Sequence, residues 1–363
     1  MAKSSPKTEK DYLAACRRWK EGNFDGRRPT INDVADLAGV SKKTVSRVIN
    51  ASPLVNRSTR EGIQLIIDSI GYRPDPQARG LAFRRSYLVG LIYDNPNPQY
   101  VVNVQLGILD GLRDTGFELV VHPCDRKSDT FLEDARKFVE LQKLYGVVVT
   151  PSVSEDERLA EVLREVGCEY VRIASVALDL DQRMIVTNDR IGGREAGRHL
   201  AELGHKRVGL VTGRRSFRSA HERRAGFEEG LGEFGVKLLP EYVAQGDYTF
   251  ESGLARGAEL IDLSPPPTAI FAANDEMAAG VMQSALVAGL KVPDELSVVG
   301  FDNFQTATRI WPRLTTVETP SRQIGMLAAR QLLSAAHDKT MEIAPNQTTP
   351  KLVRRESSRK PPD

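Results

Sequence analysis

Apolar positions over 30–50 fall in two short helical stripes. Val34, Ala35, Leu37 and Ala38 share one face of a first helix, and Val40, Val45, Val48 and Ile49 supply a facing stripe. Positions 45, 48 and 49 have the i, i+3, i+4 spacing of a half-buried helix. Gly39 can take the positive φ that ends one helix and lets the chain turn sharply, and Ser41 is a good N-cap for the next. Ile63, Ile66, Ile67 and Ile70 form a third stripe, on a helix opened by Ser58, Thr59 and Arg60. From Tyr87 onward the period changes. Short apolar, β-branched runs at 88–93, 117–122, 146–150, 170–174, 207–212, 268–272 and 296–301 predict strands. Amphipathic stretches between them, at 133–144, 193–203, 223–234, 250–261 and 275–288, predict helices. Such alternation implies parallel sheets covered by helices on both faces. The units are too many for one small sheet, and the polar segments 188–193 and 315–320 read as crossings between two lobes.

The pattern at 30–50 is that of a helix-turn-helix, and it leaves Lys42, Lys43, Ser46, Arg47 and Asn50 on the outer face of the second helix. Lys42 and Lys43 sit in the first turn, where a recognition helix meets base edges. Cations there oppose the helix dipole, so an anionic partner explains them better than self-stabilisation. A solvated lysine pair on an ordinary helical hairpin is the plainer alternative. Lysine or arginine to guanine, and asparagine to adenine, are the geometrically suitable pairings.

Charge sharpens the division. Residues 1–85 hold 17 Lys+Arg against 9 Asp+Glu, whereas 86–363 hold 33 against 39. A basic head on an acidic body suits DNA binding by the head alone. Three cysteines, Cys16, Cys124 and Cys168, lack metal-like spacing and suit a reducing compartment. With no apolar leader and no run of membrane-spanning length, a cytoplasmic protein is expected, with no membrane partner.

Beyond these residues, the run V-A-x-x-A-G-V-S-x-x-T-V-S-R-V-I-N closely resembles the DNA-binding signature of the LacI/GalR family of bacterial transcription regulators. The segment 71–82, G-Y-R-P-D-P-Q-A-R-G-L-A, looks like the family's hinge, whose usual form is Y-x-P-N-x-x-A-R-x-L. The resemblance implies that the hinge becomes helical on operator DNA and wedges a leucine into the minor groove, a position occupied by Leu81. A wedge costs unstacking and gains contact with bent DNA, and a segment ordered only on binding is easy to switch. Packing of Leu81 on the next domain is the alternative. Asp75 replaces the usual asparagine and Pro76 follows it; Asp75 puts a negative charge near phosphate. DNA contacts are expected from Thr30, Ser41, Lys42, Lys43, Thr44, Ser46, Arg47, Asn50, Arg79 and Leu81.

The resemblance extends over 28–357. It implies an all-α helix-turn-helix head and an α/β body of two Rossmann-like lobes, similar to periplasmic binding proteins. The expected divisions are an N-terminal extension at 1–28, a head at 29–73, a hinge at 74–86, an effector-binding and dimerisation body at 87–353 and a tail at 354–363. In the extension Tyr12, Leu13, Cys16 and Trp19 can line one face of a short helix, with Arg17, Arg18 and Lys20 elsewhere; it reads as a flexible tail in preference to an extra DNA arm, and the C-terminal tail reads as disordered.

Ligands in such folds sit beyond the carboxyl ends of strands. Residues there are Asp94, Asn95, Tyr100, Asn188, Arg223, Tyr248, Asn274 and Asp302. Carboxylates, amides and arginine bond vicinal hydroxyls, and an aromatic covers a sugar face. The resemblance implies effector contact by Arg223 and Asp302 and stacking by Tyr248. Asn274 and Asp275 are equally suited to capping the following helix, Asp189 to the lobe crossing, and His205 to a turn. His221 lies near enough to Arg223 to face the cleft. No metal spacing joins the five histidines, and no nucleophile elbow or phosphate-binding loop occurs, so neither an enzyme nor a cofactor is expected. Gly192 and Gly193, at a helix start, are a weak anion-binding signal.

The function expected is a dimeric, effector-responsive DNA-binding repressor that reads a near-palindromic operator and senses a carbohydrate, or as a minority class a purine or nucleoside. A solute-binding receptor of a transport system is the alternative; the basic head speaks against it. A sugar-modifying enzyme is the remote third reading.

Overall fold

The computed structural model describes residues 9–22, 27–49, 54–73, 86–335 and 347–362. It divides into two units, Met1–Ser86 and Tyr87–Asp363. Asn50, the hinge positions Asp75, Pro76, Arg79 and Leu81, and most of 74–86 lie outside the described residues.

In the first unit, Glu9–Gly22 (α1), Ile31–Ala38 (α2), Lys42–Ile49 (α3) and Arg57–Ile70 (α4) are helices. Thr30 and Asp33 form a capping box at the start of α2, which satisfies orphan N–H groups at the helix end. Gly39 has φ 70°, and its N–H returns to the Ala35 and Asp36 carbonyls. Val34, Val45, Ile63 and Ile66 are the centre of a small core completed by Ala38, Val48, Ile70 and Tyr72. The extension departs from the flexible tail expected at 1–28. The stripe Tyr12, Cys16, Trp19 packs α1 into the same core, and Cys16 is buried.

The second unit has two parallel sheets. In the first, Leu88–Tyr93 (β1), Glu118–Pro123 (β2), Gly146–Val149 (β3), Glu169–Ala174 (β4) and Met184–Val186 (β5) stand in the order β2-β1-β3-β4-β5. Pro98–Leu112 (α5), Phe131–Gln142 (α6) and Glu157–Glu165 (α7) connect them. The chain then crosses at 187–188. Asp189–Glu202 (α8), Val208–Thr212 (β6), Arg218–Gly232 (α9), Val243–Gln245 (β7), Phe250–Ile261 (α10), Ala269–Ala272 (β8), Asp275–Val287 (α11), Ser297–Asp302 (β9), Gln305–Arg309 (α12) and Thr315–Glu318 (β10) build the second lobe. Its sheet repeats the order as β7-β6-β8-β9-β10, extended by Lys351–Val353 (β11), which is antiparallel to β10. Both sheets therefore reverse strand order beside their first strand, the place where open α/β sheets bind ligands.

Ser321–Ala335 (α13) returns to the first lobe, where Ile324, Leu327, Ala328 and Leu332 join Val89, Leu91 and Val148 in one core. With β11 back in the second sheet, the lobes are joined by three crossings. The sequence pattern expects crossings at 188–193 and 315–320, but 189–193 is already the start of α8. Four of the six residues at 315–320 are strand, and Thr315 and Thr316 there are fully buried with bonded hydroxyls. The C-terminal residues also depart from the disorder expected at 354–363. Ser357 is fully buried, donates to the Val298 carbonyl at 2.6 Å and accepts from the Thr315 N–H at 2.8 Å. Buried His205, a structural residue as expected, holds the Thr268 hydroxyl and the Arg359 carbonyl, each at 2.8 Å.

Candidate functional site

In the head, Ser41 Oγ accepts from the Thr44 N–H at 3.2 Å and lies 3.0 Å from Thr44 Oγ1, fixing the first turn of α3. Val45 and Val48 turn inward. Lys42 and Lys43 are exposed, and Thr44, Ser46 and Arg47 are half-buried. Exposed Thr30 is occupied in the α2 cap, its hydroxyl 2.7 Å from Asp33 Oδ2. Asp33 also accepts from Trp19 Nε1 at 3.2 Å and from both Arg27 terminal nitrogens. The Arg27 guanidinium holds the Asp33 carboxyl far below the usual carboxylate range, helped by Thr30 and Trp19. Asn50, Arg79 and Leu81 fall outside the described residues.

In the second unit, a cleft lies between the lobes. Its centre is a buried charge cluster. Arg223 stands in the second turn of α9, which begins five residues earlier than its sequence pattern suggests. It meets Asp189 because α8 and α9 touch backbone to backbone: a Cβ on Gly193 would lie 2.1 Å from the Arg223 carbonyl oxygen. Gly192 and Gly193 are thus packing glycines. Arg223 Nε donates to Asp189 Oδ1 at 2.7 Å, one terminal nitrogen donates to the Ala273 carbonyl at 2.5 Å, and Asp302 Oδ1 lies 3.6 Å away. The guanidinium lies over the Phe301 ring, 3.7 Å from its centroid, an attraction that grows when water is excluded. Thr187 Oγ1 donates to the other Asp189 oxygen. Burial pushes the Asp302 carboxyl up to about 7, against the pull of Arg223 and reinforced by Asp189.

Six of the eight residues expected at the ligand site line this cleft: Asn95, Tyr100, Arg223, Tyr248, Asn274 and Asp302. Asn274 serves twice, accepting from the Met277 N–H at 2.9 Å as cap of α11 and donating to the Tyr248 carbonyl at 2.9 Å. That bond holds Tyr248 at φ 75°. The remaining two do not line it. Asp94 is consumed by Arg126 at 2.9 Å and by the Ser152 hydroxyl. Asn188, at φ 56°, donates to Thr348 at 3.0 Å and ties two of the lobe crossings together. His221 bonds the Arg215 carbonyl on the surface, away from the cleft lining.

Asn97, Pro151, Thr187, Asp189, Phe217, Ser219 and Thr319 also line the cleft. Thr187 follows the end of β5, a three-residue strand too short to read by period, while Asp189, read as a lobe-crossing residue, lines the cleft in the grip of Arg223. Phe217 and Ser219 follow β6, where the strand-end rule applies but neither residue carries a charge to mark it. Among the described residues, Asn97 Nδ2, Tyr100 OH and Thr319 Oγ1 are buried polar atoms without a hydrogen-bond partner, all three on cleft-lining side chains. Such atoms are costly unless something polar meets them. At the mouth, Arg126 of the first lobe reaches the Ser216 carbonyl of the second at 3.5 Å, and Glu155 accepts from the Arg218 N–H at 3.2 Å. Among the described residues no cluster of metal ligands occurs, and no helix is long and apolar enough to cross a membrane.

Comparison with known proteins agrees with both units. Residues 30–75 match the model of bacterial regulatory proteins of the lacI family, and 198–358 match that of a periplasmic binding protein-like domain. The HTH-type transcriptional regulator CelR of Thermobifida fusca is 33% identical over 87% of this chain and 94% of its own. Among solved structures, a CelR–cellobiose complex superposes with a TM-score of 0.68 at 30% identity, covering 91% of this chain and all of that one. A lac repressor dimer bound to operator and the anti-inducer ONPF gives 0.72 at 27% identity, covering 92% of this chain and all of that one.

Proposed function

Because the chain belongs to the LacI family of bacterial regulatory proteins, we propose that it is a transcriptional repressor whose hold on a near-palindromic operator is set by a carbohydrate in the interlobe cleft. The observation that carries this reading is the cleft itself. An arginine and two carboxylates already in mutual contact, a tyrosine at the wall and three unpartnered buried polar atoms suit a ligand that both donates and accepts at many points. A sugar does so through its vicinal hydroxyls and its apolar ring face. The cellobiose bound by CelR supports the same ligand class.

On the DNA side, Lys42, Lys43, Ser46, Arg47 and Asn50 read base edges, Thr30, Ser41 and Thr44 hold backbone, and Arg79 and Leu81 serve the hinge. Two heads of a homodimer meet two half-sites, since two-fold protein symmetry implies two-fold DNA symmetry. Effector binding closes the cleft, favours one dimer geometry and so changes operator affinity, with a reciprocal coupling of about 1–3 kcal/mol.

A thermal-shift screen of sugars, cellobiose among them, followed by gel-shift titration with each hit, tests the reading. A sugar that raises the melting temperature and changes affinity for a selected palindrome supports it. No discrimination between any palindrome and random DNA would sink it. Lys43→Ala is expected to weaken specific DNA binding and leave effector affinity intact, separating head from cleft.

A further inference from the structure

The helix α1 lies outside the matched helix-turn-helix, and neither the cleft nor the α3 surface uses it. We propose that α1 is a fourth helix of the DNA-binding head, and that Arg17, Arg18 and Lys20 on it hold the phosphate backbone beside the half-site read by α3. This rests on the DNA-binding reading above.

The packing makes α1 a fixed part of the head. Tyr12, Cys16 and Trp19 have the spacing of one helical face, and all three join the head core. Tyr12 fills the space beside Gly62 of α4, where a Cβ would lie 2.5 Å from its ring. At the other end of α1, the Trp19 indole donates to Asp33, the residue that closes the α2 capping box. The C-terminal turn of α1 is therefore pinned to the N-terminus of α2. In a helix-turn-helix the first helix crosses the DNA backbone, and a helix N-terminus is where a phosphate is best received. One helical turn carries Trp19 together with Arg17, Arg18 and Lys20, all three exposed. Exposed Arg28 lies two residues before the cap. Among the described residues, none of these four cations is in a salt bridge, and Glu21 is the single acid in the last two turns of α1. Cations at a helix C-terminus also favour the helix dipole, but that effect acts on stability and is indifferent to DNA.

The test uses the full chain and the palindromic duplex it selects from a random pool, read by fluorescence anisotropy across a salt series. Replacing Arg17→Ala, Arg18→Ala and Lys20→Ala together is expected to lower the slope of log affinity against log salt by about 0.9 for each phosphate that the cations no longer neutralise. The weakening should be equal on selected and scrambled duplexes, leaving their affinity ratio unchanged. Arg17→Lys, Arg18→Lys and Lys20→Arg together should keep the slope. An unchanged slope in the alanine variant overturns the proposal, whether or not affinity falls, because α1 then only packs. If the unsubstituted protein selects no duplex, the DNA-binding reading fails and this one with it.

Discussion

Arg223 is enclosed by oxygens contributed from three parts of the second lobe: Asp189 on α8, the Ala273 carbonyl after β8 and Asp302 at the end of β9. Removing it leaves two buried carboxylates facing each other. Arg223→Met should therefore abolish effector binding in calorimetry and lower the unfolding free energy in urea by about 3–5 kcal/mol, the usual cost of breaking a buried pair from one side. Asp302 gives a pH prediction. Its carboxyl is pushed up to about 7 in the folded chain, while an unfolded aspartate titrates near about 4. Between these values the native state holds the extra proton. The stability this group contributes is thus full below about pH 4, falls as pH rises through the window and is flat above about pH 7. Urea unfolding across that range should show the unsubstituted protein losing stability relative to Asp302→Asn as pH rises. Parallel curves for the two would refute the assignment.

The segment joining β3 to α7 illustrates how an element can be made rigid for the sake of one side chain. Ser152 is held at φ 75° by its own bond to Asp94 and by Arg126, which donates to the Ser152 carbonyl at 2.7 Å. Buried Arg172 donates to the Ser154 carbonyl at 2.7 Å. A backbone held in a strained region, at about 1–3 kcal/mol, persists only where its surroundings insist on it. The segment presents Glu155 to the N-terminus of α9 across the cleft, and burial pushes that carboxyl above its ordinary range. Glu155→Ala should weaken effector affinity by about tenfold, the worth of one hydrogen bond to a charged group, and widen the unliganded form in small-angle scattering. Much of this level is legible in the sequence. The long parallel strands are, because apolar β-branched runs announce buried strands. β5, β7 and β11 have three residues each, too few for a period to show, and β10 hides because two of its three buried positions are threonines whose hydroxyls are bonded internally. The 354–363 segment reads as polar and loose because charged residues of it pair on the surface, Glu356 with Arg313 and Arg359 with Asp294, while its anchoring is done by the Ser357 and Ser358 hydroxyls and the Arg359 backbone. The apolar face of α1 is legible, but its docking is not: a stripe holding Cys and Trp amid charges stays weak until Gly62 and Asp33 are known to receive it.

At the scale of the whole molecule, the second lobe leaves Leu286, Val287 and Trp311 exposed, Trp311 at 81%, and the first leaves Val102, Leu106 and Leu109 of α5 exposed. Apolar surface gathered this way suits an interface, and the proposed homodimer would cover it. Leu286→Glu with Trp311→Glu should shift analytical ultracentrifugation toward the monomer and cost operator affinity with it, since one head alone meets one half-site. A dimer unchanged by both would place the interface elsewhere. The three crossings between the lobes set what a bound ligand can do at all. They run side by side, Asn188 bonded to Thr348 across two of them, with Thr187 and Thr319 reaching the same cleft. Two bodies joined by a single thread can roll, twist and slide. Joined by three threads abreast, they keep one cheap motion, a swing about the line through the joins. Filling the cleft can then be reported only as a change in one angle, a message that reads the same whichever ligand wrote it.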